Sequence, residues 1–141
     1  MMNAFGISLS LARAADRTVC PAGPPTCAFT NVQAAVDAAS AGDVIKVAAG
    51  IYTGVNHYDG LAQVVYISKS VTIRGGYTTA FTEPPDFEAN PTTLDAQGQG
   101  RVLYVTGNIS PTIEGLRITG GDATGLGRGT GLDVGGGVYI V

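Results

Sequence analysis

Apolar and polar residues alternate in short blocks that return at a nearly constant step through the second half of the chain. The blocks begin at Val71, Leu94, Leu116 and Val138, so the steps are 23, 22 and 22 residues. A period of two is typical of a β-strand, whose side chains point to alternate sides of a sheet. A strand that returns every twenty-odd residues between glycine-rich turns indicates stacked repeats. The pattern predicts an all-β solenoid, a parallel β-helix.

The alternation also predicts which side chains face the core. The inward positions are Val71, Ile73, Leu94, Ala96, Leu116 and Ile118. Burying each large apolar side chain contributes roughly 1.5–3 kcal/mol. The outward positions are Thr72, Arg74, Asp95, Gln97, Arg117 and Thr119. A register shifted by one residue would bury Arg74 and Arg117, which is costly without partners.

A second set of similar pairs competes for the register. Tyr66-Ile67, Tyr104-Val105 and Tyr139-Ile140 resemble one another. If these pairs mark a different face, Val138 belongs to that face and the last 22-residue step is accidental. The sequence leaves both registers open.

A helical pattern precedes the strands. One apolar stripe at i, i+3, i+4 and i+7 consists of Val32, Ala35, Val36 and Ala39. It predicts a helix over Thr30 to Asp43, with Thr30 or Asn31 as the N-cap and Gly42 as the C-cap. A short, alanine-rich helix needs a surface to pack on, and the open end of a solenoid provides one.

Three segments are expected along the chain. Residues 1–17 are interpreted as a leader or signal-peptide remnant, since Ala12-Arg13-Ala14 resembles a small-x-small cleavage site. A disordered leader is the alternative, because a positive n-region is missing. Residues 18–43 form a disulfide loop and the cap helix. Residues 44–141 form the first coils of the β-helix, truncated at the C-terminus.

Composition and charge narrow the classes of partner. Only 13% of the residues are charged, about half of the usual quarter, and the chain has 21 glycines. The net charge is -3 and the basic residues are scattered, which argues against nucleic acid. No apolar run approaches the roughly 20 residues of a membrane span.

Cys20 and Cys27 enclose a short proline-rich loop. A structural zinc site needs four ligands, and beyond the two cysteines the chain has a single histidine, His57. A disulfide is predicted if the protein is secreted. Two free thiols, or pairing with a second chain, are the alternatives.

The cap helix and the strand after it resemble a known family. In Thr30 to Ala39 and Gly42 to Tyr52, a helix ending in Ala-Ala is followed by Gly-Asp, a strand and Gly-x-Tyr. This pattern resembles the N-terminal cap and first coil of proteins of the pectin-lyase-like superfamily, and Ser68 to Tyr77 looks like their second coil. The resemblance covers about residues 18 to 141. It implies a right-handed parallel β-helix with a short N-terminal capping α-helix, in a bacterial protein that is secreted or displayed on the cell surface.

The resemblance is nearly silent on activity, because enzymes and adhesin-like proteins share this cap. The lyases of the superfamily use Ca²⁺-binding carboxylates with an Arg or Lys base, and its hydrolases use clustered Asp residues. Neither set is evident here, so no catalytic, cofactor-binding or metal-ligating residue is assigned. Two weak Ca²⁺ candidates are the acids Glu83, Asp86 and Glu88 and the stretch Gly129 to Val134, which partly matches a Ca²⁺-binding nonapeptide. An ordinary loop is the simpler interpretation of both.

Arg74, Asp95 and Arg117 are the candidate ligand face. On stacked strands they would bring a carboxylate beside two guanidinium groups. Together these groups could bind an acidic sugar. A cross-strand ion pair worth roughly 0.2–1 kcal/mol is the simpler interpretation.

The expected function is a secreted or surface-displayed scaffold with a structural, adhesive or glycan-binding role and no catalysis in this segment. Its partners would be a polysaccharide or another surface protein. One alternative is the N-terminal portion of a polysaccharide lyase or glycoside hydrolase that acts on acidic polysaccharide. The other is a module that self-associates through the bare strand at Val138 to Val141.

Overall fold

A computed structural model describes residues 14–58, 60–127 and 133–141 of the chain. Its helix α1 spans Val32–Ala38. The strands are β1 Asp16–Val19, β2 Val44–Ala48, β3 Gly50–Tyr52, β4 Asn56–Tyr58, β5 Leu61–Ile67, β6 Thr72–Tyr77, β7 Thr92–Asp95, β8 Arg101–Val105, β9 Thr112–Glu114, β10 Arg117–Thr119 and β11 Val138–Ile140.

The strands form three small sheets. The first sheet has the order β1-β2-β6-β9 and the second the order β10-β7-β3, and every pair in both is parallel. The third sheet has the order β11-β8-β5-β4. It is mixed, because β4 runs antiparallel to β5 while the other pairs are parallel.

This architecture corrects the predicted fold class. The all-β solenoid, a right-handed parallel β-helix with a short N-terminal capping α-helix, is wrong, because none of the three small sheets closes or forms one continuous solenoid. The step between paired residues is also far from constant. Thr93 pairs with Arg117, 24 residues later, whereas Gly50 pairs with Thr92, 42 residues later. The described chain is a small α/β-like domain.

The blocks of the 22-residue repeat do not share one register. Val71 immediately precedes β6 of the first sheet, whereas Leu94 pairs with Ile118 in the second. Val138 pairs with Leu103 in the third sheet, so the last step of the repeat is accidental. The alternative register, in which the Tyr-Ile and Tyr-Val pairs align, is the one that forms. Alternation of side chains is a local property, and it does not determine which strands pair.

The predicted inward residues are buried where their strands have neighbours on both sides. Val71, Ile73, Leu94 and Ala96 are buried in the core. Leu116 is only partly buried against that core, and Ile118 is 37% exposed. Ile118 is exposed because β10 lies at the edge of its sheet.

Helix α1 is shorter than predicted. Its N-cap is Asn31, whose side chain accepts a hydrogen bond from Ala34 N at 2.8 Å. All four residues of the predicted stripe are buried. The helix ends at Ala38, because Ala39 adopts an extended backbone. Gly42 lies beyond the helix end, in a turn with a φ of +93°.

The N-terminal part of the described chain is tied to the first sheet. Cys20 and Cys27 form a disulfide bond, as predicted. Strand β1, which the sequence pattern did not indicate, pairs with β2 in a continuous parallel register. It spans the expected boundary between residues 17 and 18. Of the suggested cleavage site, Ala12 and Arg13 lie outside the described residues.

Candidate functional site

Four tyrosines stack in a single column across the third sheet, one from each strand. They are Tyr58, Tyr66, Tyr104 and Tyr139, and the distances between successive ring centroids are 4.8, 5.4 and 5.4 Å. The register places Tyr66 beside Tyr104 and Tyr104 beside Tyr139. Since neighbouring strands lie about 4.7–4.9 Å apart, the in-register residues Tyr66, Tyr104 and Tyr139 meet ring against ring, with the last pair tilted by 41°. Tyr58 pairs in register with Leu61, and its ring reaches Tyr66 from outside that register. We call this column the tyrosine ladder.

The ladder ends at Tyr58. This residue lies on β4, the edge strand of the third sheet, and none of the described strands lies beyond it. The rings of Tyr58 and Tyr66 are nearly parallel, with an interplanar angle of 4°. One face of the Tyr58 ring is therefore covered by Tyr66.

A pocket of about 390 Å³ opens beside Tyr58, between α1 and the segment from Tyr52 to Tyr58. Its polar lining comes from Asn31, Gln33, Asp37, Thr53, Asn56 and Tyr58. We call it the helix pocket. The volume lies within the range of about 300–1,000 Å³ that is usual for small-molecule sites.

Gln33 fixes one wall of the helix pocket. Its Nε2 donates to Asp37 Oδ1 at 2.8 Å and to the Tyr66 carbonyl at 3.2 Å. Its Oε1 accepts from Tyr66 N at 2.6 Å and from Asn56 Nδ2 at 3.2 Å. The side-chain amide of this buried residue is thus fully satisfied. It ties the helix to β4 and β5, so the wall is preorganised.

Asp37 and Tyr58 meet across the pocket. The Tyr58 hydroxyl donates towards both carboxylate oxygens of Asp37, at 3.0 Å to Oδ1 and 2.9 Å to Oδ2. This hydrogen bond, followed by partial burial, raises the pKa of Tyr58. The phenol therefore keeps its proton and points it at the carboxylate.

The Asp37 carboxylate has only neutral partners among the described residues. None of the four ion pairs found there involves it. Lys69 lies at the end of the same helix, but its Nζ donates to the carbonyl oxygens of Val36, Asp37 and Ala39 at 2.7–3.0 Å. An ammonium has three N–H bonds, so these carbonyls use all of them.

The described lining provides groups that can bind a ligand. The described lining contains one carboxyl group, Asp37, whereas glycoside hydrolysis by the usual mechanism needs a pair. What the pocket offers is an aromatic face, an acceptor carboxylate and polar groups at the rim. These groups match a small polyhydroxylated ligand.

The structure places the predicted ligand face on two different sheets. Arg74 lies on β6 of the first sheet, where its Nε pairs with Glu114 Oε1 on β9. Asp95 and Arg117 share the second sheet, but Asp95 lies opposite Thr119 rather than opposite Arg117. The three side chains therefore do not converge on one face, because the repeat that aligned them is not the register that forms. A ligand-binding role for any of them stays a prediction.

Arg74 belongs to a charged strip along the first sheet. Its neighbour in register is Lys46, whose Nζ pairs with Asp16 at 2.8 Å and with Glu83 at 3.0 Å. Hydrogen bonds to Tyr77 and Glu114 raise the pKa of Arg74. Both cations are paired, which makes the strip a network that supports the sheet rather than a free anion site.

The acidic loop proposed as a weak Ca²⁺ candidate has other partners. The hydrogen bonds from Lys46 and then Tyr77 lower the pKa of Glu83, and Asp86 Oδ1 accepts from the backbone N–H groups of Glu88 and Ala89. Within the described residues, no group of three or more His, Cys, Asp or Glu side chains is placed to hold a metal ion.

The second weak Ca²⁺ candidate falls largely on residues that are not described. Gly129 to Leu132 lie outside the described residues. The carboxylate of Asp133, the next residue, accepts hydrogen bonds from Gly125 N and Gly127 N.

The helix pocket was missed in the sequence. Tyr58 falls in a stretch that is polar and resembles a loop, although three of its residues form β4. Asp37 lies on the polar side of the helical pattern, where an acidic residue is unremarkable. The one available signal was the set of similar Tyr-Ile and Tyr-Val pairs, which offered an alternative register for the strands but did not include Tyr58.

No family model, no curated protein and no solved structure matches this chain. The resemblance of the cap to the pectin-lyase-like superfamily therefore stays a prediction. In the part of the chain that the structure describes, no helix has the length and apolar character needed to cross a bilayer. The helix pocket and the tyrosine ladder are the features of the described chain that bear on function.

Proposed function

We propose that the chain is a secreted or surface-displayed carbohydrate-binding domain that holds one sugar unit in the helix pocket. The observation that carries the proposal is the pairing of Tyr58 with Asp37, which line a pocket of about 390 Å³ and are joined by a hydrogen bond of 2.9 Å. The protein acts as a binding module, and catalysis is not part of the proposal.

The aromatic part of the site favours a sugar ring. Pyranoses present an apolar face of C–H groups, and such a face packs on the flat side of a tyrosine. Tyr58 is held by stacking on Tyr66 at 4.8 Å and by its hydrogen bond to Asp37. Because the ring is already ordered, binding loses little additional side-chain entropy.

The polar part of the site favours hydroxyl groups. Asp37 can only accept hydrogen bonds, and sugar hydroxyls can donate them. Asn31 and Thr53 are exposed at the rim, where they can donate as well as accept. A mixed set of donors and acceptors beside an aromatic ring matches a polyhydroxylated ligand better than an apolar one.

The disulfide supports the expected location. The bond between Cys20 and Cys27 is the kind of link that forms and persists in oxidising compartments such as the extracellular space. A glycan-binding role is compatible with that location, since polysaccharides are abundant partners at cell surfaces.

Binding of linear oligosaccharides, measured by calorimetry, tests the proposal. We expect Tyr58→Leu to weaken binding by about tenfold or more, because it removes the stacking face but keeps an apolar side chain. The matched control is Tyr139→Leu at the opposite end of the ladder, which should bind as the native protein does. Circular dichroism shows whether each variant folds. Absence of binding to neutral, amino and acidic oligosaccharides alike would refute the proposal.

A further inference from the structure

We propose that the sugar held in the helix pocket carries a free amino group, so that the site selects a cationic amino sugar over its neutral and acidic counterparts. The inference rests on the proposed function and adds to it the charge class of the ligand. It comes from three features of the site: an unneutralised carboxylate, a tyrosine ring with no cation of the described residues over it, and the absence of a basic residue in the described lining.

The first feature is the charge of Asp37. Asp37 is the one charged residue among the twelve described residues that line the pocket. Its partners, the amide of Gln33 and the hydroxyl of Tyr58, orient the carboxylate without neutralising it. An exposed carboxylate held in position by neutral donors attracts a cation and forms a charge-assisted hydrogen bond with an ammonium group.

The cations near the helix are engaged elsewhere. Helix α1 packs on β5, β1 and β2. Arg17 on β1 pairs with Asp43 at 3.0 Å, and Lys46 on β2 pairs with Asp16 and Glu83. The ammonium of Lys69, which follows β5, is occupied by three helix carbonyls. These basic groups do not supply a counter-ion for Asp37.

Among the described residues, His57 is a further titratable side chain next to the site. It precedes Tyr58 on β4, is exposed and pairs in register with Ala62 of β5. It is not among the described residues that line the pocket. The carboxylates Asp16 and Asp43 of the packed strands are paired with the basic residues named above.

The second feature is the asymmetry of the tyrosine ladder. At one end, the guanidinium carbon of Arg101 lies 4.5 Å from the ring centroid of Tyr139, within the roughly 6 Å of a cation–π contact. At the other end, no cation of the described residues lies over Tyr58. A ligand ammonium bound by Asp37 would lie beside the Tyr58 ring. It would supply a cation at this end of the ladder, as Arg101 does at the other end.

The third feature excludes acidic sugars. A uronic acid would place a second carboxylate beside Asp37, with no basic residue in the described lining to neutralise either one. Two carboxylates in one site repel each other and raise the pKa of one of them. Repulsion of the wrong ligand contributes to specificity as much as attraction of the right one.

Three linear oligosaccharides that differ only at one carbon of each sugar test the inference. They are an oligomer of glucosamine, the same oligomer in its N-acetylated form, and the corresponding oligomer of glucose. Affinities are measured by calorimetry at about pH 6, where such amines are protonated. We expect the free amine to bind about tenfold tighter than either neutral form, with an advantage that shrinks at high salt. An oligogalacturonate should not bind.

Two variants locate the effect. Asp37→Asn should abolish the preference for the amine, so that charged and neutral oligomers bind within about threefold of one another. Glu88→Gln removes one negative charge from an exposed loop residue outside the pocket, and it should keep the full preference.

The outcomes separate the inference from the proposed function. If neutral oligomers bind in a Tyr58-dependent way and the amine gives no gain, the inference is wrong and the carbohydrate-binding function stands. If the amine binds but neither Asp37→Asn nor Tyr58→Leu changes its affinity, the oligomer binds elsewhere on the acidic surface and the inference is again wrong. If no oligomer binds, both fail.

Discussion

Gln63 and Arg101 lie directly beside each other on β5 and β8, and each is buried with one side-chain atom that has no hydrogen-bond partner in the described part of the structure. The two atoms are Gln63 Oε1, an acceptor, and Arg101 Nη1, a donor. A buried arginine is unusual and is tolerated only when most of its donors are satisfied. Arg101 is therefore a structural residue whose removal should be costly.

The bonds that Arg101 makes define the first prediction. Its Nε and Nη2 donate to the Val134 carbonyl at 3.1 Å, and Nη2 also donates to the Leu126 carbonyl at 3.3 Å. Arg101→Ala should lower the free energy of unfolding by about 1.5–3 kcal/mol, because the partly buried carbonyls of Val134 and Leu126 lose a charged donor and the ring of Tyr139 loses its cation. Denaturation in urea measures the change.

Two further variants make this prediction specific. Arg101→Lys should recover little stability, since a lysine cannot reproduce the fork of donors. Arg117→Ala, at an exposed edge-strand position, should change stability by no more than about 0.5 kcal/mol. A lysine variant as stable as the native protein would show that the guanidinium geometry is unimportant.

The second prediction concerns the disulfide. Cys20 and Cys27 are seven residues apart, so the bond closes a short loop. Chain-entropy arguments give about 2–3 kcal/mol of stabilisation for a loop of this size. Thermal unfolding with and without reductant should show a lower Tm in the reduced protein. A variant with both cysteines changed to alanine should have the low Tm in both conditions; a reductant effect that persists in that variant would mean that the bond is not its cause.

The third prediction is an acid-dependent loss of stability that Asp43 controls. The backbone N–H groups of Ser40 and Ala15, at 2.9 and 3.0 Å, and the side chain of Arg17 lower the pKa of Asp43. Because folding lowers this pKa, the stabilisation is fully present above the unfolded value of about 3.9 and is lost as the pH falls through the folded value.

Comparing variants as a function of pH isolates this contribution. Asp43→Asn should be less stable at neutral pH, and its free energy of unfolding should fall less steeply below about pH 4 than that of the native protein. Glu88→Gln, which removes an exposed carboxylate, should lose stability below about pH 4 as steeply as the native protein does. Parallel curves for Asp43→Asn and the native protein in acid would contradict the assignment.

The fourth prediction distinguishes backbone strain from close packing. Gly76 and Gly98 both have positive φ angles, +83° and +73°, so alanine at either position is strained by about 1–2 kcal/mol. A Cβ on Gly76 would also meet the ring of Phe87 and the backbone of Asp86, whereas a Cβ on Gly98 would meet nothing within 4 Å. Gly76→Ala should therefore lose about 1–3 kcal/mol more than Gly98→Ala in denaturant titrations. Equal losses would mean that Phe87 moves aside freely.

Local features of the chain were predictable. The stripe from Val32 to Ala39 identified the buried face of α1, because a 3.6-residue period depends only on the helix itself. The disulfide between Cys20 and Cys27, predicted for a secreted protein with free thiols and pairing to a second chain as alternatives, is the arrangement that forms. Of the two registers that the sequence left open, the one that aligns Tyr66, Tyr104 and Tyr139 forms.

Non-local pairing was not predictable. A three-residue strand such as β3 or β4 carries too little alternation to be recognised in the sequence. The blocks at Val71, Leu94 and Val138 resemble one another, yet they pair in different sheets. An alternating block does not specify which strand it pairs with. Pairing depends on the length of the connection between the two strands. The helix pocket forms because β4 turns back beside α1. Its residues lie in separate segments of the sequence, so no sequence pattern connects them.

The tyrosine ladder gives the protein a spectroscopic reporter of its own. The chain has no tryptophan, and four of its six tyrosines belong to the ladder. Stacked phenol rings at this separation interact electronically, so near-ultraviolet circular dichroism and tyrosine emission arise largely from one coupled array. A ligand that binds against Tyr58 perturbs the terminal chromophore of that array. Occupancy of the pocket can therefore be followed optically in the unlabelled native protein.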